Sequence, residues 1–154
     1  MIEASVQQLR SCLAVERWVA EVAGVYPDRE ALLAAARAAA PLDEAEIDEA
    51  VAHHPRIGER PVGRGASAEF SRREQASAAD ADDAAVNALI AAGNAEYERR
   101  FGRVFIIRAA GRSRAEILAE QRRRLALAPA EELPIVGEQL IEIALLRLAE
   151  LVPA

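Results

Sequence analysis

IVGEQLIEIALLRLAEL, residues 135–151, is the stretch on which the fold class turns. Ile135, Leu140, Ile141, Ile143, Ala144, Leu145, Leu148 and Leu151 recur mostly at steps of three and four, the period of a helix that buries one side; a strand would alternate apolar and polar residues over a shorter run. The spacing predicts a helix from about Ala130 to Leu151.

Working back from it, Ser113 and Glu116 form an S-x-x-E capping box, which starts a helix running to about Leu127. VFIIRA, residues 104–109, leans towards β structure but is short and has no partner strand, so it reads as an extended buried segment. Helices are expected over about 81–100, with Asp80 as N-cap and Gly102 as terminator, and over about 68–79. PRIGERPVGRGA, residues 55–66, holds two prolines and three glycines and reads as a loop shaped by backbone chemistry. It comes after a helix from about Asp43 to His53, which Pro55 ends. Pro27 and Asp28 open an alanine-rich helix through about Ala39, stopped by Pro41. In residues 3–23, Val6, Leu9, Leu13, Val15, Trp18, Val19 and Val22 predict one further helix ahead of Gly24. The fold expected is all-α, a multi-helix bundle of about seven helices in a single domain spanning residues 1–154, with the Pro/Gly loop after the third helix.

Composition agrees. A chain of 154 residues suits one core, and 52% hydrophobic residues with only 4% aromatic favour close-packed helices over a sandwich of short strands. The net charge of -6 opposes nucleic acid or an anionic membrane as partner and favours a small molecule or a protein. Cys12 is the only cysteine, so no internal disulfide forms and no zinc-ligand spacing exists, which suits a reducing cytosol. MIEASVQQLRSC at the start is not a basic stretch leading into an apolar run, and no segment reaches the roughly 18 to 20 apolar residues of a membrane helix. The expectation is a cytoplasmic protein.

His53 and His54 are the only histidines, placed where a helix meets the loop. Such an edge holds a side chain over a cleft, and an imidazole exchanges its proton near neutral pH. The plainer reading is that they cap the helix C-terminus, where the dipole favours a cation. No metal site is expected, because adjacent histidines project about 100° apart and no third ligand completes a set. SRREQ, residues 71–75, has a plain reading too: Ser71 and Glu74 match a capping box. If the helix instead begins near Ser67, Ser71 and Glu74 lie one turn apart, and Ser71 and Gln75 share a face. The arginines at 99, 100, 103 and 122–124 could grip an acid, but such runs are more often solvated faces that pair with nearby Glu. Arg147 differs, because it interrupts the apolar run IALLRLAEL, residues 143–151, and there it needs solvent, a buried carboxylate or a ligand.

Four stretches in order, HHPRIGE (53–59), SRREQA (71–76), NAEYERRFGRVFIIRAAG (94–111) and IEIALLRLAEL (141–151), resemble the 2-oxo-4-hydroxy-4-carboxy-5-ureidoimidazoline (OHCU) decarboxylases. The resemblance runs over most of the chain from residue 40 onward and rests on the combination: His-Pro, S-x-x-E-Q seventeen residues after His54, then FG-x-x-F-x-I. It implies an all-α fold, commonly a homodimer, that converts the ureidoimidazoline acid of urate breakdown to (S)-allantoin. His54 matches the family's catalytic histidine, with Pro55 beside it. Ser71, Glu74 and Gln75 match its substrate-contacting helix, and Glu74 is expected to share in catalysis. Phe105, Ile106, Ile107, Arg108 and Ala109 fall in the segment whose backbone lines the pocket, and Arg147 resembles the functional arginine near the C-terminus. The chain departs from the family pattern at FGRVF, often FGFPF, and at RRRLALAPAEEL, often Arg-Leu-x-Asn. The implied substrate has its own electron sink, so no cofactor is expected. The competing reading is a non-catalytic helical binding module of the same fold.

Overall fold

A computed structural model describes residues 1–57, 66–76 and 78–152. Among the described residues the fold is all-α apart from one two-stranded ribbon, β1 (Ile2–Ala4) paired antiparallel with β2 (Gly24–Tyr26). Among the described residues there are eight helices: α1 (Val6–Cys12), α2 (Glu16–Val22), α3 (Arg29–Ala38), α4 (Glu44–Val51), α5 (Ala66–Ala76), α6 (Ala84–Phe101), α7 (Arg114–Leu125) and α8 (Pro129–Leu151). They form two compact units, Met1–His53 with Gly137–Ala154, and His54–Val136.

In the first unit, the single helix expected over residues 3–23 is two helices, and the ribbon closes around them. Ser5 starts α1 with a reciprocal cap to Gln8, and the chain is extended at Leu13 and again at Val15 before α2. Burial explains the break. On a continuous helix Leu13 and Val15 would point about 200° apart, whereas an extended link places residues two apart on one side, and both are fully buried. Val6, expected in the stripe, is exposed. Strands of three residues carry too little pattern to be read from sequence. Asp28, next to Pro27, caps α3 as expected, and Asp43 caps α4 through a box with Glu46. Trp18 sits at the centre of this unit, and its Nε1 donates to the Ala36 carbonyl at 3.0 Å. In α8, Leu140, Ile141, Ile143, Ala144 and Leu148 are buried as expected. Ile135, Leu145 and Leu151 are half-buried, and the neighbouring Val136 takes a buried place instead.

The second unit carries α5, α6, α7 and the start of α8. Most of the Pro/Gly loop read over residues 55–66 lies outside the described residues. The N-cap of α6 is Asp83, which accepts from the Ala85 and Val86 amides, not Asp80. Asp80 instead crosses to α7, where its carboxylate accepts from the Arg114 amide at 2.6 Å and the Ala115 amide at 3.1 Å. Helix α7 therefore has two acidic or polar caps, Asp80 and the Ser113–Glu116 box. Gly102 ends α6 in a left-handed turn, φ 75°, that costs a glycine little. Residues 104–109 are extended and largely buried without pairing as a strand, as expected. Phe105, Ile107 and Ala109 join Ile57, Ile90, Tyr97 and Ile117 in one apolar cluster.

Candidate active site

Helix α4 ends at Val51, a turn carries Ala52 and His53, and the chain leaves the turn at His54 ahead of Pro55. His53 is exposed; His54 and Pro55 are half-buried. The two residues beyond Pro55 are firmly held. The Arg56 guanidinium grips the Glu98 carboxylate through Nε and Nη2 at 2.7–3.1 Å, and holds that carboxyl below the usual glutamate range. One residue on, the Ile57 side chain enters the apolar cluster and its carbonyl accepts from Asn94 Nδ2 at 2.8 Å. Asn94 and Glu98 are one turn apart on α6, so one face of that helix pins the segment behind His54.

Helix α5 starts at Ala66, ahead of both Ser67 and Ser71, so Ser71 and Glu74 lie inside the helix and not at its cap. Ser71 and Gln75, four residues apart, are both buried, Glu74 is half-buried, and Arg72 and Arg73 face out. The Gln75 carbonyl accepts from Arg114 Nη2 at 2.9 Å, which ties the end of α5 to α7.

The extended segment behaves as a period of two dictates. Phe105, Ile107 and Ala109 point into the apolar cluster, while Ile106 and Arg108 take the alternate positions. The Ile106 carbonyl accepts from Arg124 Nη1 at 2.7 Å. Arg124, expected on a solvated face, is 0% exposed, as is Glu132, and its Nε and Nη2 meet the Glu132 carboxylate at 2.6–3.0 Å. The guanidinium lies 4.7 Å from the Phe105 ring centre. The Tyr97 hydroxyl donates to the same carboxylate, and burial, with Glu132 beside it, pushes the Tyr97 phenol above its ordinary range. A buried guanidinium persists only when paired and hydrogen-bonded, and this one uses all three sides of its fork.

The expected site residues divide between the units. His54, Pro55, Ser71, Glu74, Gln75 and residues 105–109 belong to His54–Val136, and Arg147, 3% exposed on α8, belongs to the other. Three segments of the second unit that carry expected site residues are each tied to α6 or α7 through a backbone carbonyl: Ile57 by Asn94, Gln75 by Arg114, Ile106 by Arg124. Asn94 and Arg114 were not expected as anchors, and Arg124 was expected only within a run of arginines that is more often solvated. Asn94 had a signal, since it shares the stripe of Ile90, Tyr97 and Phe101. Arg114 and Arg124 had none, because the buried side of α7 is Arg114, Ile117, Gln121 and Arg124, three polar groups to one apolar. Among the described residues no group of His, Cys, Asp and Glu is placed to hold a metal, and no helix is long and apolar enough to cross a membrane.

The family model described as OHCU decarboxylase matches residues 2–149. The chain is 38% identical over 104 residues to the 2-oxo-4-hydroxy-4-carboxy-5-ureidoimidazoline decarboxylase of Amia calva, covering 64% of this chain and 57% of that protein. It is 36% identical over 106 residues to the uric acid degradation bifunctional protein TTL of Arabidopsis thaliana, covering 67% of this chain and 32% of that one. The match thus spans well under two thirds of either relative. A crystal structure of OHCU decarboxylase in the presence of (S)-allantoin superposes with a TM-score of 0.78 at 26% identity, covering 94% of this chain and 96% of that one.

Proposed function

The chain belongs to the OHCU decarboxylase family, and on that premise we propose that it decarboxylates 2-oxo-4-hydroxy-4-carboxy-5-ureidoimidazoline to (S)-allantoin in urate degradation, without a cofactor, using His54 to move the proton. The observation that carries the reading is the contrast within the histidine pair: His53 stands in solvent, while His54 is half-buried at the head of a segment fastened to α6. A general acid must be held in place and still be reachable, and His54 meets both conditions.

The substrate makes modest demands. Its carboxylate and hydroxyl share one ring carbon beside a C=N bond. When the bond to carbon dioxide breaks, the electron pair enters the ring and the C=N pair moves onto nitrogen. The hydroxyl then becomes the ring carbonyl and its proton passes to that nitrogen, while one further proton is delivered to the former C=N carbon, which becomes stereogenic. The protein has to orient the leaving carboxylate, stabilise the moving charge and choose the face of protonation. His54 supplies the proton. Glu74 orients that imidazole or accepts the substrate's N–H and O–H groups, while Ser71, Gln75 and backbone groups of residues 105–109 bind the ureido and ring amides. Arg147 neutralises a carboxylate. Homodimerisation and a cytoplasmic setting complete the proposal; the family resemblance supports the first and the single cysteine the second.

Chirality of the product tests it. Freshly oxidised urate is mixed with the protein, and circular dichroism is followed as allantoin forms. Accumulation of the S hand, faster than uncatalysed decay, is the expected result. Racemic product at the uncatalysed rate would sink the assignment.

A further inference from the structure

The buried amides between α6 and α7 perform no step in the decarboxylation, yet they end on the chain segment that carries its histidine. Asn94, 5% exposed, donates to the Ile57 carbonyl at 2.8 Å. Its Oδ1 accepts from Gln121 Nε2 at 2.8 Å, and the second Nε2 hydrogen serves the Ile90 carbonyl at 3.2 Å. Gln121 itself is fully buried and reaches this place only because residue 93 is glycine. We infer that Asn94 is a positioning residue for His54, held in the orientation this requires by Gln121; the inference rests on the reading of His54 as proton carrier.

The chemistry of an amide side chain carries the argument. Asn94 has a donor end and an acceptor end, and rotating it by half a turn would set oxygen against the Ile57 carbonyl and nitrogen against Gln121 nitrogen, losing both bonds. The pair is therefore self-orienting. Between His54 and the anchored carbonyl stand only Pro55, whose ring fixes one backbone torsion, and Arg56, clamped to Glu98. The proline ring and the Glu98 clamp limit how the segment moves while the Ile57 carbonyl is held, so loosening that carbonyl displaces the ring. If the amides served only to satisfy a buried carbonyl, their loss would weaken the fold without regard to His54.

The two roles separate in a double-substitution experiment on the full chain. Asn94→Ser and Gln121→Met are each made alone and together with His54→Asn, and kcat and KM are measured for folded protein. In the background with His54, each substitution is expected to lower kcat about tenfold or more with KM changed less than about twofold, because a misplacement of an ångström costs rate rather than binding. With His54 replaced, the same substitutions are expected to leave the residual rate unchanged. Equal losses in both backgrounds, or no loss of kcat in either folded variant, would overturn the inference. His54→Asn acting at the full rate by itself would instead overturn the reading of His54 and take this inference with it. Should Asn94→Ser fail to fold, Gln121→Met keeps the chain packed at a similar volume. With only two histidines the imidazole nuclear magnetic resonance signals are assignable, and Gln121→Met should move the His54 signal and leave His53 in place. A His54 signal identical to that of the parent would count against the inference.

Discussion

Gln121 lies across Gly93 so closely that its Cδ stands 2.5 Å from the point a β-carbon on residue 93 would occupy, and its Oε1 is closer still. At an exposed helical site, exchanging glycine for alanine stabilises by about 1 kcal/mol. Here the sign reverses. The methyl group of Gly93→Ala would push Gln121 out and break its bonds to Asn94 and Ile90, so overpacking and lost hydrogen bonds together should cost about 2–4 kcal/mol. Thermal denaturation should show a fall of roughly 5–15 °C. A melting temperature equal to or above that of the parent would refute the contact.

Arg124 and Glu132 invite a paired replacement. Arg124→Met leaves Glu132 a buried carboxylate without its cation, at a cost of about 3–5 kcal/mol. Glu132→Leu strands the guanidinium by a similar amount. The double variant should cost clearly less than the two singles added, since a pair removed whole leaves no unmatched charge. Urea unfolding of the four proteins gives the coupling, and simple additivity would show that the pair is not the unit described.

Asp80 makes α7 sensitive to acid. The Arg114 amide, first among the causes, and the Ala115 amide hold its carboxyl below the ordinary value of 3.8. A depressed folded-state pKa contributes stability that is present above the unfolded value and is lost as pH falls through the folded one. Parent protein should therefore melt higher than Asp80→Asn near neutrality, and the gap should close below about pH 4. A gap that stays constant across that range would mean that the charge of Asp80 does not support the helix.

The two histidines should behave oppositely. His54→Asn is expected to lower kcat by a factor of about 100 or more. Its melting temperature should stay near that of the parent, because a half-exposed side chain outside the core shifts stability little. His53→Asn should leave turnover unchanged. Comparable losses at both positions would point to the turn, not to one imidazole.

The all-α class, the Ser113–Glu116 cap and the placement of His54 just after a helix were legible because each depends on residues near one another in sequence. Ser113 with Glu116, and Gly102 after Phe101, settle their helix ends locally. Asp80 and Asp83 illustrate where local reading stops. Both suit an N-cap, and only the approach of α7 decides that Asp83 serves α6 while Asp80 serves its neighbour. The division of the first helix at Leu13–Val15 needed knowledge of what each residue packs on, and the three-residue strands needed each other. Arg124 was hidden most deeply, since a run of three arginines looks solvated until Glu132, eight residues on, is known to face it. Ser71 and Gln75 were correctly read as one face once the helix was started early enough, and their burial agrees with that face turning inward.

The tethers on Ile57, Gln75 and Ile106 all end on main-chain oxygens. Every amino acid presents the same oxygen there, so the grip itself does not depend on which side chain these positions carry, although all three are buried and a replacement must also fit the space around it. Recognition is thereby free to drift among descendants of this sequence while the scaffold keeps its reach. The converse holds for Asn94, Arg114 and Arg124, where the holding atoms belong to the side chain and a single change releases a whole strand of backbone.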